Sequence, residues 1–203
     1  HKGTIVDATF VDAPRQRNSR DENKKIKNGE IPEEWEKPEN KSKLAQKDTD
    51  ADWTKKNGER HFGYKDHVKC DADSKLITNY SVTSASVHDS QRCLVFIGQE
   101  DEVLYADSAY SGKPIALALP ENCKNQICEK GYRNSPLTSE QKMNNRRKSR
   151  IRCRIEQIFG FMTGAMHGIT IRSIGITRAW MNIGITNLVY NFCRYSYLKR
   201  ASA

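Results

Sequence analysis

Hydrophobic and polar positions divide the chain into two patterned regions with a polar stretch between them. Residues 3–11, GTIVDATFV, carry the β-branched Ile5 and Val6 and continue through Thr9, Phe10 and Val11, which predicts a strand. Residues 61–70 and 75–83 alternate as strands do. The turn-forming Asp71-Ala72-Asp73-Ser74 between them predicts an antiparallel hairpin. Val87 to Ser90 opens a helix reaching about Phe96, with Asp89 favourably placed in its first turn. Residues 102–107, EVLYAD, predict a short strand ending in Asp107, and a helix follows with Pro114 near its first position. Residues 125–129 read as a fifth short strand. A long helix starts at Thr138 or Ser139 and runs past Phe161, and an apolar helix occupies about 177–197. Strands early, then helix and strand in alternation, predict an α/β fold with a sheet of mixed direction.

Residues 13–60 differ in kind. They hold thirteen Lys or Arg and eleven Asp or Glu, while Ile26, Ile31, Trp35, Leu44 and Trp53 are their main large apolar side chains. That balance cannot build a separate core, so the segment reads as a long charged insertion after the first strand, mobile or facing a polyanion. A weak helical signal lies within 30–47. The expected organisation is one domain over 1–203, with 13–60 the insertion and 176–197 a C-terminal helix.

Composition sharpens the choice of partner. The formal net charge is +9 and the sequence pI about 9.3, a balance that favours an anionic partner, most often nucleic acid. No run of 18 apolar residues exists, which argues against a membrane span. Six cysteines occur without a Cys-x-x-Cys pair, as expected of free thiols in a reducing cytoplasm rather than a disulfide framework. The chain begins at His1 instead of Met, which reads as part of a longer or processed protein.

Three acids stand at chemically telling places: Asp7 within the first strand, Asp107 at the end of 102–107, and Glu156 on the long helix. In a mixed sheet the first strand and 102–107 can lie side by side. Carboxylates crowded together need cations between them, and hard oxygen donors suit Mg²⁺ or Mn²⁺. On a helical wheel started at Ser149, Arg152 falls near 300°, Glu156 near 340° and Thr163 near 320°, while Ile151, Ile155, Ile158 and Met162 fall at about 180–240°. Glu156 therefore borders the core-facing stripe with Arg152 one turn before it. By spacing alone, an ordinary i, i+4 surface pair accounts for them better than a site. The same helix carries Lys142, Arg146, Arg147, Lys148, Arg150, Arg152 and Arg154 against Glu140 alone over 138–154, a single-sign face suited to phosphates.

The stretches IVDATFVDAP, HFGYKDHV (61–68), VTSASVHDSQ (82–91), YADSAYSG (105–112) and RCRIEQIFGFM (152–162) resemble, in order, the catalytic half of bacterial insertion-sequence DDE transposases, which have a ribonuclease-H-like fold. The resemblance implies that Asp7, Asp107 and Glu156 are the catalytic and metal-binding carboxylates for two Mg²⁺ or Mn²⁺ ions. It implies DNA as partner, both element ends and target, with cleavage followed by strand transfer. Arg146, Arg147, Lys148, Arg150, Arg152 and Arg154 would bind DNA. A homodimer at the bacterial nucleoid is implied too. His88 and Asp89 either line the site or cap a helix. Ser149 and Thr163 depart from a frequent Tyr and Lys at the corresponding family places, leaving Lys148 or Arg154 to compensate. The rival readings are a nuclease without joining activity and an inactive DNA-binding remnant.

Overall fold

The computed structural model describes residues 3–56 and 58–202; residues 1, 2, 57 and 203 lie outside the described residues. Its centre is a six-stranded mixed sheet flanked by helices, the architecture that the ribonuclease-H-like resemblance implies. Strand β1 (Thr4–Asp12) pairs antiparallel with β3 (Glu59–Asp71), from Thr4 opposite Asp71 to Asp12 opposite Gly63. β3 also pairs antiparallel with β2 (Asp52–Lys56) and β4 (Ile77–Ser84). On the other side, β1 pairs parallel with β5 (Val103–Tyr105), which pairs parallel with β6 (Lys124–Asn125). The sheet closes tightly at Gly63, where φ is +146° and a Cβ would collide with the Val11 carbonyl.

Alternation sorts each strand into two faces. Ile5, Val68 and Cys70 pack beneath α6 (Ser139–Gly164) through Ile155, Ile158 and Met162, and beneath Tyr190 of α7 (Ile176–Ala201). Further along the same face, Val11, Phe62, Tyr64 and Val82 meet Ala179 and Ile183 of α7. Val6 and Leu104 lie in the opposite layer, with Cys93 and Phe96 of α4 (Ser90–Phe96) and Ile115 of α5 (Lys113–Ala118). The Ile155, Ile158 and Met162 stripe read from the helical wheel is thus the buried stripe of α6.

Three differences from the sequence reading have local causes. Residues 13–60 are not a plain loop: α1 (Arg20–Lys27), α2 (Glu33–Glu36), α3 (Lys41–Ala45) and β2 lie within them. The helices gather around Trp35, which is fully buried and donates its indole N–H to Glu22 at 2.7 Å. Trp35 therefore pins this segment and presents no ring for bases to stack on. Trp53 likewise packs on Phe62, with the ring centroids 5.1 Å apart. The signal for α1 was legible: Ser19 and Glu22 form a complete capping box. Asp107 lies two residues beyond β5, where it caps a 3₁₀ turn over Ser108–Tyr110 instead of ending the strand. The fifth strand expected at 125–129 is centred earlier, at Lys124–Asn125. Its bonding continues, because Gln126 and Cys128 donate their N–H groups to Leu104 and Ala106 at 2.8 and 3.0 Å.

One core group has a measurable consequence. Asp66 is completely buried on β3, beside Asn187 of α7, and none of the carboxylate oxygens or amide atoms of the two completes a hydrogen bond. Burial pushes the Asp66 carboxyl up to about 7, with Asn187 opposing the rise. An unfolded aspartate titrates near ~4, so the folded state retains this proton over a range where the unfolded chain releases it. The resulting stability is complete below about 4 and is lost as pH rises through about 7. The thermal midpoint of the protein is expected to fall between about pH 4 and 7, and Asp66→Asn should flatten that fall. An unchanged slope in the variant would assign the effect to another group.

Candidate active site

The register of β1 and β5 sets the site. Ile5 pairs with Tyr105 in a parallel ladder. Asp7 and Asp107 lie two residues further along their respective chains, so both follow the face of Ile5 and Tyr105, the face that α6 covers. Each aspartate is oriented by the backbone after it. Asp7 Oδ1 accepts the Ala8 N–H at 2.8 Å, and Asp107 Oδ1 accepts the Ser108 N–H at 2.6 Å.

Arg152 projects from α6 onto this pair. Its Nη1 donates to Asp7 Oδ2 at 2.9 Å and its Nη2 to Glu156 Oε1 at 2.7 Å, so one guanidinium joins a strand carboxylate to a helix carboxylate 149 positions away in sequence. The Arg152–Glu156 contact is therefore more than the surface pair that spacing favoured. Burial raises the carboxyl pKa of Asp7; the Ala8 N–H, Arg152 and Lys56 oppose that rise and Asp107 adds to it. Burial disfavours the charge on Arg152, but Asp7, Glu156 and Asp107 together hold its pKa above the ordinary value. These four side chains form one electrostatic unit.

Among the described residues, no group of three His, Cys, Asp or Glu side chains stands close enough to share a metal ion. The counter-charge at the centre of the unit is Arg152. The donor set nevertheless suits a hard divalent cation. Two carboxylates destabilise each other on one sheet face, and Glu156, 55% exposed along its side chain, extends from the facing helix.

The other sequence-selected residues divide by what they touch. Arg146, Arg147 and Arg150 are exposed on α6, and Arg146 and Arg150 line one open face with Lys142. Lys148 donates to the Ile127 carbonyl at 2.9 Å, and Arg154 pairs with Asp73 at 3.3 Å, so both are tied into the fold. Ser149 lies 3.8 Å from the Cys128 sulfur, and the Thr163 hydroxyl bonds back to the Phe159 carbonyl at 3.0 Å. Asp89 stands at the N-cap position of α4, but its side chain makes no capping bond and pairs with the Lys65 ammonium at 2.8 Å. His88 Nδ1 meets the Ser90 hydroxyl at 2.8 Å. The histidines His61 and His67 serve the strands. His61 stacks on Phe10, and His67 is buried against the Thr83 hydroxyl, with desolvation lowering its pKa to about 4.

Sequence reasoning passed over Tyr110. Its ring is buried and its hydroxyl has no hydrogen-bond partner among the described residues, while burial first, then Asp7, Asp89 and Asp107, push the phenol pKa up. Its place in the YADSAYSG stretch, three residues after Asp107, was the available signal. All six cysteines are free, and no helix among the described residues is long and apolar enough to cross a membrane.

A protein-family model described as "Transposase DDE domain" matches residues 1–192. Among curated relatives, the transposase for insertion sequence element IS1106 of Neisseria meningitidis serogroup B is 34% identical over 117 residues, covering 56% of this chain and 40% of its own length. The match thus spans less than half of that relative. No solved structure matches.

Proposed function

The chain belongs to the transposase DDE-domain family, and from that premise we propose that it cuts DNA at the ends of an insertion sequence and joins those ends to target DNA. The single observation behind this reading is the parallel β1–β5 register, which sets Asp7 beside Asp107 under the Arg152–Glu156 pair of α6. Asp7, Asp107 and Glu156 would hold two Mg²⁺ or Mn²⁺ ions. When bound, such ions activate the attacking oxygen and stabilise the leaving one.

The chain's own side chains supply the rest. The Ala8 and Ser108 N–H groups hold the two aspartates in a fixed orientation. Arg152 balances the acids, and on arrival of DNA its guanidinium serves the phosphate beside the cut bond. Exposed Arg146, Arg147 and Arg150 grip the neighbouring phosphates. In the first reaction, water attacks phosphorus and the P–O3′ bond breaks, leaving a 3′-hydroxyl at the element end. In the second, that hydroxyl attacks a target phosphodiester, forms the new P–O bond and displaces a target 3′-hydroxyl. The proposed setting is the bacterial cytoplasm, at the nucleoid.

The test is incubation of the chain with labelled element-end and target oligonucleotides, with and without Mn²⁺. Metal-dependent nicking followed by joined products is the expected result. Nicking without joining would favour a hydrolytic nuclease. DNA affinity indifferent to metal, with no cutting, would favour an inactive DNA-binding remnant.

We further propose that two copies act together. Met181, Ile185, Leu188, Phe192 and Tyr195 are all more than half exposed on α7 and repeat at intervals of four and three residues, the spacing of a helix–helix seam. Half-exposed side chains of this size offer roughly 500 Å² per copy, an area that rim contacts extend toward the ~800 Å² of a standard interface. Leu188→Glu is expected to convert a dimer into a monomer in sedimentation at micromolar concentration, with little change in thermal midpoint. A persistent dimer would place the interface elsewhere.

A further inference from the structure

A cleft of about 680 Å³ opens between α5, the chain following β6, and α6. It starts beside the acids: the Cys128 N–H in its wall bonds the Ala106 carbonyl at 3.0 Å, one residue before Asp107. Ser111 and Gly112, which follow the 3₁₀ turn capped by Asp107, form another wall. The volume is that of a small-ligand site.

Two features give the cleft a chemical character. Lys113 and Lys130 are exposed on its lining, and Glu129, its acid, lies 3.7 Å from Lys148, leaving the two other lysines as surplus positive charge. Tyr132 lies at the same lining and is 65% exposed. Its backbone is not loose. Tyr132 and Ser135 exchange N–H···O bonds of 3.0 and 3.1 Å, and Asn145 of α6 bonds both the N–H and the carbonyl of Glu129 at 2.9 and 3.0 Å. A tight turn, three residues beyond the point where Glu129 is bonded to α6, thus presents an aromatic ring to solvent at a basic cleft. Exposing a large aromatic ring gains nothing for the fold. It does suit stacking on an unpaired base while lysines hold the adjoining phosphates.

We propose that this cleft binds an unpaired nucleotide of the DNA strand next to the cut bond, with Tyr132 stacking on its base and Lys113 and Lys130 holding its flanking phosphates. Asn125 and Gln141 on the lining offer amide groups to the base edge. This assignment rests on the DNA reading above and adds a specific substrate form, a strand end opened from its duplex.

The experiment compares two DNA probes of equal length, a blunt duplex and one ending in a three-nucleotide overhang with 2-aminopurine at its first unpaired position. The wild-type chain should bind the overhang more tightly and change the 2-aminopurine fluorescence. Tyr132→Ala should weaken overhang binding roughly 5- to 100-fold, erase the fluorescence change and leave blunt-duplex binding unchanged. Tyr132→Phe should retain all three properties. Lys113→Ala with Lys130→Ala should reduce the slope of log affinity against log salt by roughly 1.4 on the overhang probe. Equal effects of Tyr132→Ala on both probes, or none on either, would overturn the subsite while leaving DNA binding intact. A wild-type chain that binds neither probe would overturn the DNA reading itself.

Discussion

Asp7→Asn is expected to lower DNA strand cleavage at least about 10³-fold while the protein remains folded. A bound divalent ion contributes several kcal/mol to the barrier, and each ~1.4 kcal/mol is a factor of ten. The substitution keeps the shape of the side chain and an oxygen able to accept the Ala8 N–H, a contact of 2.8 Å in the parent. It removes a charge that burial already disfavours, and Arg152 keeps its contact with Glu156. Stability is therefore expected to change little without metal. A second readout separates chemistry from folding. Mn²⁺ at about a hundred times its dissociation constant should stabilise the parent by ~2.7 kcal/mol, or roughly 5–10 °C for a domain of this size. Asp7→Asn should lose most of that shift. A variant that cuts at the parental rate, or that retains the full metal-induced shift, would remove Asp7 from the site.

Trp35→Ala has the second largest expected effect. Emptying a fully buried indole site typically costs ~3–5 kcal/mol. The ring is also the hub of its segment. It donates to Glu22 at 2.7 Å, and the Lys43 and Lys47 ammonium groups lie 5.4 and 5.2 Å from its centre. With so few other apolar side chains between 13 and 60, no neighbour can refill the space. Trypsin should cut the variant rapidly at Lys24, Lys25 or Lys27 while the fragment holding β3 to α7 resists. Uniform digestion of the whole chain would show that the segment and the sheet unfold as one unit. Protection equal to the parent's would show that Trp35 does not hold the segment.

The sequence carried the local half of the structure. β-branched residues located β1, period-two alternation located β3 and β4, and the residues from Thr138 to Gln141 marked the start of α6, where Thr138 and Gln141 form a capping box. The wheel positions of Ile155, Ile158 and Met162 gave the buried stripe, since helical periodicity follows from bond geometry alone. The polar segment was less legible. Its apolar content is too small to signal a core, yet three short helices form there around one buried tryptophan and the stems and charges of its neighbours.

The candidate site depended on distance in space. Residue types and helix spacing marked Asp7, Asp107, Arg152 and Glu156 as unusual, and the basic run on α6 was plain in the sequence. Spacing still favoured a mere surface pair for Arg152 and Glu156, because neither period nor propensity reports contacts between residues 145 positions apart. Strand pairing decided that question: the parallel ladder between β1 and β5 put two aspartates on one face, and the packing of α6 brought Arg152 to within 2.9 Å of Asp7. It also decided which basic residues face outward, leaving Arg146, Arg147 and Arg150 exposed while Lys148 and Arg154 bond to the fold. Local chemistry determines which elements form and which side chains are out of place; only the folded sheet, by opposing charges across long stretches of chain, determines which of those side chains meet.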